Sequence, residues 1–397
     1  MKKILATVLA LVMALALCTT SWADGVKPIT AEMTGLDTGS YELTGDVTLT
    51  AGALTVKSGA IVTLDLGTFT LTNKAGEHTI VNNGTLTITG TGTVDNVSHA
   101  RAALFNNEGA TAVLNGGSFT RSQENGKTKE DSGNNSFYTI QNLGTMTINA
   151  GVSVTQNGCF SSMVANGYYN GTGKTNTPTM IINGGTFSGG LNTVKNDDCG
   201  VMTINGGEFK NFAQACVQNH NKLTITNGNF DGSELKAIAD STVSVIYNCG
   251  CGADNDKGML SISGGTFSGG KEGTYVICDV STVSEAYTDI SGGTFTKGSA
   301  TMIGKTASAK VAISGGAFKD AAGKAVDVSA YLVAGKQQNS DGSIGNKSYY
   351  YYHPTTDTKT DDTTKGSPKT FDAGVGIYAV TAVLSVTGMV WTAKKRH

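Results

Sequence analysis

The chain has 397 residues with 53 glycines and only 4 prolines, charged residues make up 15% of it, and its formal net charge is -2. Glycine shows no three-residue period, which excludes collagen, and the small net charge with only three arginines excludes the usual basic nucleic-acid-binding surface. Because 39% of the residues are hydrophobic, the chain can still bury a core, and we expect no nucleic acid among its partners.

Residues 1–23 are organised like a secretory signal peptide. Lys2 and Lys3 precede an apolar stretch, residues 4–17, that is too short to span a bilayer. Small residues at Ser21 and Ala23 occupy the two positions that define a cleavage site, so we expect cleavage after Ala23. The rest of the chain is then expected outside the cell.

Short stretches in which threonine alternates with branched aliphatic residues recur from about residue 40 to residue 335. Residues 45–50, 62–66, 84–88 and 144–148 are examples. Such period-two patterns are typical of strands with one buried face.

One recurring element consists of two alternating apolar residues, a small polar residue, a glycine pair, any residue and a phenylalanine. Seven copies, one of them degenerate, end at Phe119, Phe187, Phe209, Phe230, Phe267, Phe295 and Phe318. The glycine pair allows a tight bend without a side-chain clash. We expect the phenylalanines to point inward and to stack.

A second element lies upstream of the first and consists of an aliphatic residue, a spacer and usually asparagine. The asparagines are Asn82, Asn106, Asn142, Asn166, Asn196, Asn219 and Asn248, with Asp279 and Gly304 assigned to the same position in later copies. The steps between copies are 24, 36, 24, 30, 23, 29, 31 and 25 residues. Asparagine tolerates left-handed backbone and bonds neighbouring backbone groups, so it suits a bend between strands.

A unit of about 24 residues with two or three short strands is one coil of a solenoid. The pattern resembles the right-handed parallel β-helix, with its internal asparagine ladder, and also large surface proteins of Gram-positive anaerobes that repeat Gly-Gly-Thr-Phe. We therefore predict an all-β, single-stranded right-handed parallel β-helix over residues 24–335, ten to twelve coils and roughly 50 Å long. Antiparallel β-sandwich domains are the rival fold, but they would not repeat every 24 residues or so.

Residues 336–366 are expected to hold a cap remnant and a polar linker, and residues 367–397 a membrane anchor. Residues 373–393 carry no charge and are long enough for one transmembrane helix, and Lys394, Lys395 and Arg396 follow at once. The segment just before it is Ser367, Pro368, Lys369, Thr370 and Phe371.

This C-terminal organisation resembles the sortase sorting signal Leu-Pro-X-Thr-Gly of Gram-positive bacteria. Pro368 and Thr370 match it, whereas Ser367 replaces leucine and Phe371 replaces glycine. The resemblance implies attack by a sortase thiol on the carbonyl of Thr370 and transfer to peptidoglycan. The alternative is that the helix simply stays in the membrane, and both place the protein outside the cell, on the wall or plasma membrane.

Enzymatic activity must be considered because many parallel β-helices cleave acidic polysaccharides. A pectate-lyase-like site needs acids with an arginine, yet Arg101 and Arg121 have no acid cluster near them in sequence. A polygalacturonase-like site needs aspartates on neighbouring coils, for which Asp197, Asp198 and His220 are the candidates. Solvated turn residues are the favoured interpretation of these three.

Other polar features suggest no site. His78 and His99 lie in no motif and are expected on the surface, and residues 254–258 imitate a calcium loop without its complete ligand set. We therefore expect no catalytic residue, no metal site and no cofactor.

Six cysteines follow the signal peptide, namely Cys159, Cys199, Cys216, Cys249, Cys251 and Cys278. Secretion permits disulfides among them. Buried thiols are the equal alternative, and no zinc-ribbon spacing is present.

The sequence favours a non-enzymatic, surface-anchored rod that acts as an adhesin or display protein for glycans or host and cell-surface proteins. Exposed tyrosines such as Tyr168 and Tyr169 could stack on sugars. A polysaccharide lyase or glycoside hydrolase is the first alternative, and a purely structural stalk is the second.

Overall fold

A computed structural model of the protein describes residues 25–124, 137–252 and 255–348. The chain divides into two compact units, residues 1–347 and 348–397, and the fold described here is that of the first. Its described residues form strands and one short 3-10 helix, Ser329–Tyr331.

Three long parallel sheets form this unit. Sheet A has 12 strands: Lys27–Pro28, Gly39–Glu42, Ile61–Asp65, Thr85–Thr89, Thr111–Leu114, Thr145–Ile148, Thr179–Ile182, Val201–Ile204, Lys222–Ile225, Met259–Ile262, Tyr287–Ile290 and Val311–Ile313. Sheet B has 11 strands: Gly35–Leu36, Leu54–Val56, Ile80–Asn82, Leu104–Asn106, Ile140–Asn142, Val164–Asn166, Asn192–Asn196, Ala215–Asn219, Ser244–Asn248, Tyr275–Asp279 and Thr301–Lys305. Sheet C has 11 strands: Val47–Leu49, Thr70–Asn73, Thr93–Asn96, Gly117–Thr120, Val152–Gln156, Thr186–Gly189, Glu208–Lys210, Asn229–Asp231, Thr266–Ser268, Thr294–Thr296 and Ala317–Lys319.

From Gly39–Glu42 onward the chain visits the sheets in the order A, C, B, and within each of the three sheets successive strands, one coil apart, pair in parallel. The 11 strands of sheet B correspond to 11 coils, which at about 4.8 Å each give a length of roughly 50 Å. This is a parallel β-helix, and it differs from the antiparallel sheets of stacked sandwich domains. The right-handed winding stays a prediction from the sequence.

The core consists of columns of side chains that repeat from coil to coil. Along most strands of sheets A and C buried and less buried residues alternate, as in Thr85–Thr89, so one face of these sheets lines the interior. In sheet B, strands such as Ala215–Asn219 are buried at four of five positions. From Leu64 onward one column of sheet A is aliphatic: Leu64, Ile88, Leu114, Ile148, Ile182, Ile204, Ile225, Ile262, Ile290 and Ile313.

The phenylalanines of the repeat stack inside sheet C. From Phe187 to Phe318, successive ring centroids are 4.6–4.8 Å apart and the rings are parallel within 7°. Phe119 lies in the same column, but Val154 separates it from Phe187. The six-ring stack therefore begins at Phe187, because the coil before it lacks the phenylalanine of the repeat.

The seven asparagines of the second element form one buried ladder at the corner between sheets B and A. Each Nδ2 donates to the Oδ1 of the next asparagine at 2.7–2.9 Å, from Asn82 through Asn248. Asn248 Nδ2 then donates to Asp279 Oδ2 at 3.1 Å. The next residue in register is Lys305 and not Gly304, because Ile303, rather than Met302, pairs with Ile277.

The paired glycines form the corner between sheets A and C. Gly185 has φ +106°, in the region that favours glycine, and a Cβ on it would lie 2.7 Å from the carbonyl oxygen of Val152. A side chain at position 185 would therefore clash with the preceding coil, although Val152 occupies the corresponding position in that coil.

Residues 320–347 cover the C-terminal end of the helix. The last sheet strand ends at Lys319, and a hairpin of Lys336–Gln338 and Ile344–Asn346 follows the 3-10 helix. Val333 N donates to Ile313 O at 3.0 Å and Ile344 N donates to Gly316 O at 2.9 Å. The solenoid strands thus end before residue 335, and the cap binds the last coil through backbone hydrogen bonds.

Several sequence predictions lie outside the described residues: the signal peptide with Ala23, the linker from residue 349 onward, the sorting signal at residues 367–371 and the apolar span at residues 373–393. Among the residues that the structure describes, no helix has the length and apolar character needed to cross a membrane.

Candidate functional site

The candidate site is built from loops at the corner where the chain passes from sheet B to sheet A. Four consecutive coils contribute to it, each immediately after its ladder asparagine, with residues 167–178, 197–200 and 220–221 and, in the last coil, 249–252 and 255–258. The ladder fixes the start of every loop in register, so residues distant in sequence are stacked at one corner. The extra length in the 30- and 31-residue steps falls largely in such loops. In the 29-residue step it lies instead between the strands Asn229–Asp231 and Ser244–Asn248.

Asp197, Asp198 and His220 come together at this corner. One carboxylate oxygen of each aspartate and one imidazole nitrogen lie within 4.8 Å of one another. Asp197 and Asp198 are only 1% and 7% exposed. The solvated-turn interpretation of these residues is therefore wrong, since two carboxylates are withdrawn from water beside an imidazole.

Asp198 is held by the loop of the preceding coil. Gly171 N donates to its Oδ2 at 2.8 Å, and its backbone exchanges two hydrogen bonds with Tyr168. Burial raises the pKa of Asp198, and the charges of Asp197 and Asp256 add to that rise, while the Gly171 N–H opposes it.

Asp197 lies between a lysine and a tyrosine. Lys195 Nζ is 3.0 Å from Asp197 Oδ2 and forms an ion pair with it, although Oδ2 makes no hydrogen bond to any described residue. Burial, together with the neighbouring Asp197 carboxylate, raises the pKa of Tyr138. Tyr138 therefore stays protonated and is a neutral neighbour for the carboxylate.

His220 faces a third carboxylate. Its Nδ1 lies 3.7 Å from Asp256 Oδ1, and Asp256 Oδ2 accepts from Cys251 N at 3.0 Å. Within the described part of the chain, neither His220 Nε2 nor Asp256 Oδ1 makes a hydrogen bond, although both are buried. Buried polar atoms without partners carry a desolvation cost, and they are uncommon in native proteins.

An open groove of about 330 Å³ lies beside this cluster. Lys174, Lys222 and Lys257 line it, together with Thr175, Asn176, Thr177, Cys199, Val201, Asn221, Asn255 and Met259. No carboxylate is among these lining residues. The groove is therefore polar, and Lys222 and Lys257 give it positive charge, whereas the Lys174 ammonium lies 3.8 Å from Glu108 Oε1.

The loop of residues 167–178 shapes both the cluster and the groove. Tyr168 OH donates to Glu108 Oε1 at 2.6 Å, and Lys174 Nζ lies 4.7 Å from the centroid of the Tyr168 ring. Tyr169 is 81% exposed, with Lys195 Nζ 5.4 Å from its ring centroid. One buried tyrosine thus anchors the loop, and the next one presents its ring to solvent.

Both states that the sequence left open for the cysteines, a disulfide and buried thiols, occur in the structure. Cys249 and Cys251 form a disulfide within the loop that carries Asp256. The other cysteines, Cys159, Cys199, Cys216 and Cys278, are buried thiols. Burial raises the pKa of Cys278 to about 12 and also raises that of Cys216, which disfavours their reactive thiolate forms.

Arg121 and His78 make polar contacts inside the protein that the sequence did not predict. Arg121 is fully buried and pairs with Glu124, three residues later. His78 is half-buried rather than on the surface, with its ring stacked 4.7 Å from that of Phe105, and its Nδ1 accepts from Ala102 N at 2.8 Å. His99 is exposed.

Asp256, Lys195 and Tyr138 were also missed as neighbours of the cluster. Asp256 belongs to the stretch of residues 254–258 that imitates a calcium loop, but its side chain faces His220 and the Cys251 backbone. One feature of the sequence could have indicated the cluster. Asp197, His220 and Asp256 lie in loops that begin directly after the ladder residues Asn196, Asn219 and Asn248, and the ladder places these loops at one corner.

No family model matches the chain, and neither the curated proteins nor the solved structures contain a match.

Proposed function

We propose that the protein is a surface-anchored adhesin that binds anionic glycans at the corner between sheets B and A. The observation that carries this proposal is the lysine-lined groove. The exposed ring of Tyr169 belongs to the loop of residues 167–178, which also supplies groove residues, although Tyr169 does not itself line the groove. A sugar ring can stack on an exposed aromatic face, and lysine ammonium groups attract carboxylate or sulfate groups. The regular coils would serve as a rigid support that holds this surface away from the cell.

Binding of the purified full chain to an array of neutral and acidic glycans tests the proposal. We expect acidic glycans to bind and neutral ones to bind weakly, with an affinity that falls as salt concentration rises. Tyr169→Ala should weaken binding about tenfold, which corresponds to about 1.4 kcal/mol. Phe212→Ala is the matched control, because Phe212 is an exposed aromatic residue at a different corner.

The charge of the groove is tested separately. Lys222→Glu with Lys257→Glu should abolish the preference for acidic glycans, whereas Lys324→Glu in the cap should leave it unchanged. Binding that is absent for every glycan would contradict the proposal and favour the structural stalk.

Anchoring at the cell surface is part of this proposal and rests on the sequence of residues 367–397. Mass spectrometry of wall digests should find Thr370 joined to peptidoglycan if a sortase accepts Phe371. Intact C-terminal peptides in the membrane fraction would instead indicate a membrane anchor.

A polysaccharide-cleaving enzyme is the second candidate, and the gathering of Asp197, Asp198 and His220 favours it. The low exposure of both carboxylates argues against it, because a polymer must touch its catalytic acids. A depolymerisation assay on acidic polysaccharides separates the two functions. Cleavage that disappears in Asp198→Asn would establish the enzyme and overturn the non-enzymatic adhesin.

A further inference from the structure

We propose that Asp197, Asp198 and His220 bind a divalent transition-metal ion, with Zn²⁺ as the preferred ion, and that Asp256 orients the histidine. This proposal is independent of glycan binding. One ligand atom from each of Asp197, Asp198 and His220 lies within 4.8 Å of the other two. One ion between them could contact all three after small side-chain movements.

The second observation is that the cluster contains buried polar atoms without hydrogen-bond partners. Among the described residues, His220 Nε2 and Asp256 Oδ1 make no hydrogen bond, and Asp197 Oδ2 makes none either, although it is paired with the Lys195 ammonium at 3.0 Å. Asp197 is 1% exposed and Asp256 is 6% exposed, so neither side chain is satisfied by bulk water. Buried polar groups normally have partners, and a cation would supply one.

The charges at the corner also favour a cation. Three aspartates, Asp197, Asp198 and Asp256, lie around His220, whereas Lys195 is the cation that pairs with one of them. Buried carboxylates that exceed their counter-charges repel one another and are costly to desolvate. A bound dication would remove this excess and could displace the Lys195 ammonium from Asp197.

The donor types decide which ion fits. Two carboxylates with an imidazole form a mixed oxygen and nitrogen set, which suits Zn²⁺ with water in a fourth position. Ca²⁺ prefers six to eight oxygen ligands, and an imidazole is a poor substitute for them. Among divalent ions, a nitrogen donor also favours zinc over magnesium or calcium.

Asp256 is placed to orient the histidine. Its Oδ1 lies 3.7 Å from His220 Nδ1, and Nε2 makes no hydrogen bond to any described residue, so we assign Nε2 as the ligand atom. A carboxylate that holds one imidazole nitrogen while the other binds metal is a common arrangement. The Cys251 N–H bond to Asp256 Oδ2 and the Gly171 N–H bond to Asp198 Oδ2 fix the two carboxylates before any ion binds.

Titration of the untagged full chain with Zn²⁺, followed by isothermal calorimetry and metal analysis, tests the site. We expect one Zn²⁺ per chain and a rise in Tm with added zinc. Asp198→Asn and His220→Gln should each weaken binding at least tenfold, and Asp256→Asn should weaken it about tenfold. Asp289→Asn, a change on sheet A away from the corner, is the control and should bind like the wild type.

Cobalt substitution identifies the donor atoms. Co²⁺ bound at this site should show d–d absorption without a sulfur charge-transfer band, whereas binding to the buried thiols would show that band. Circular dichroism of each variant confirms that it is folded.

Three results would overturn the proposal. The first is no stoichiometric Zn²⁺ binding by the folded chain, and the second is binding that Asp198→Asn and His220→Gln both leave unchanged. The third is tighter binding of Ca²⁺ than of Zn²⁺, which would disprove the assigned ion.

Discussion

Single buried polar residues interrupt the apolar interior of the coils, and Arg121 is the most extreme. Its guanidinium is fully buried, pairs with Glu124 and donates to the carbonyl oxygens of Ser98, Arg101 and Phe137 at 2.6–3.3 Å. Gln156 Nε2 donates to Glu124 Oε1 at 2.9 Å. This network links three successive coils at the corner between sheets C and B.

Replacing Arg121 alone, which removes one partner of the ion pair with Glu124, should destabilise the protein strongly. Arg121→Met leaves the Glu124 carboxylate buried without its cation and removes the donor from three carbonyl oxygens, so we expect a loss of about 3–5 kcal/mol in the free energy of unfolding. Urea denaturation provides the measurement. Arg121→Met combined with Glu124→Leu should lose less than the single variant, and an equal or larger loss would contradict this account.

His78 makes stability depend on pH. Burial, followed by the charges of Arg101 and Arg121, lowers the pKa of His78 to about 4. Between the usual value of about 6.5 and this value the unfolded chain binds a proton that the folded chain does not. The stability from neutral His78 is therefore complete above pH 6.5 and is lost as the pH falls towards 4.

The contribution is isolated by comparison with His78→Gln, whose side-chain oxygen can accept the Ala102 N–H. Allowing for its partial exposure, wild type should lose about 2 kcal/mol more than His78→Gln between pH 7 and pH 4. Urea unfolding at several pH values measures both. If the free energy of unfolding falls equally for wild type and His78→Gln between pH 7 and pH 4, His78 is not the cause of the pH dependence.

At the scale of elements, the structure has two asparagine ladders with different environments. Asn142, in the buried ladder, donates to Asn166 Oδ1 at 2.7 Å and to Thr179 O at 2.9 Å. Asn149 belongs to an exposed ladder at the corner between sheets A and C, and donates to Asn115 Oδ1 at 2.7 Å. The hydrogen bonds are similar in length, so burial is the main difference between them.

This difference predicts unequal effects of substitution. Asn142→Ala leaves buried groups above and below it unpaired and should cost about 3 kcal/mol. Asn149→Ala exposes its partners to water and should cost about 0.5 kcal/mol. Chemical denaturation compares them, and similar losses would contradict a special role for the buried ladder.

On the scale of the whole molecule, the ends of a β-helix present unpaired strand edges. The cap of residues 320–347 covers the C-terminal end, where Phe318 N donates to Gly342 O at 3.0 Å. Uncovered parallel edges and a bare phenylalanine column would favour pairing with another copy.

A chain that ends at Lys319 should therefore self-associate, whereas one that ends at Ser348 keeps the cap and serves as the control. Size-exclusion chromatography with light scattering measures the mass of each. If both chains have the same mass in solution, the cap does not protect the edge.

The sequence by itself determined the parallel coils, the buried asparagine ladder and the position of the phenylalanines, because each is a local pattern that repeats. It placed Gly304 one residue away from the ladder position, since Met302 and Ile303 are both apolar and only strand pairing chooses between them.

Only the tertiary structure decided what gathers at the corner between sheets B and A. Asp197, His220 and Asp256 lie on separate coils, and their loops differ in length, so no sequence spacing gives their distances. Stacking of the coils in register brings their side chains together. The repeat is set by short-range geometry, whereas the site depends on contacts between loops that the repeat does not specify.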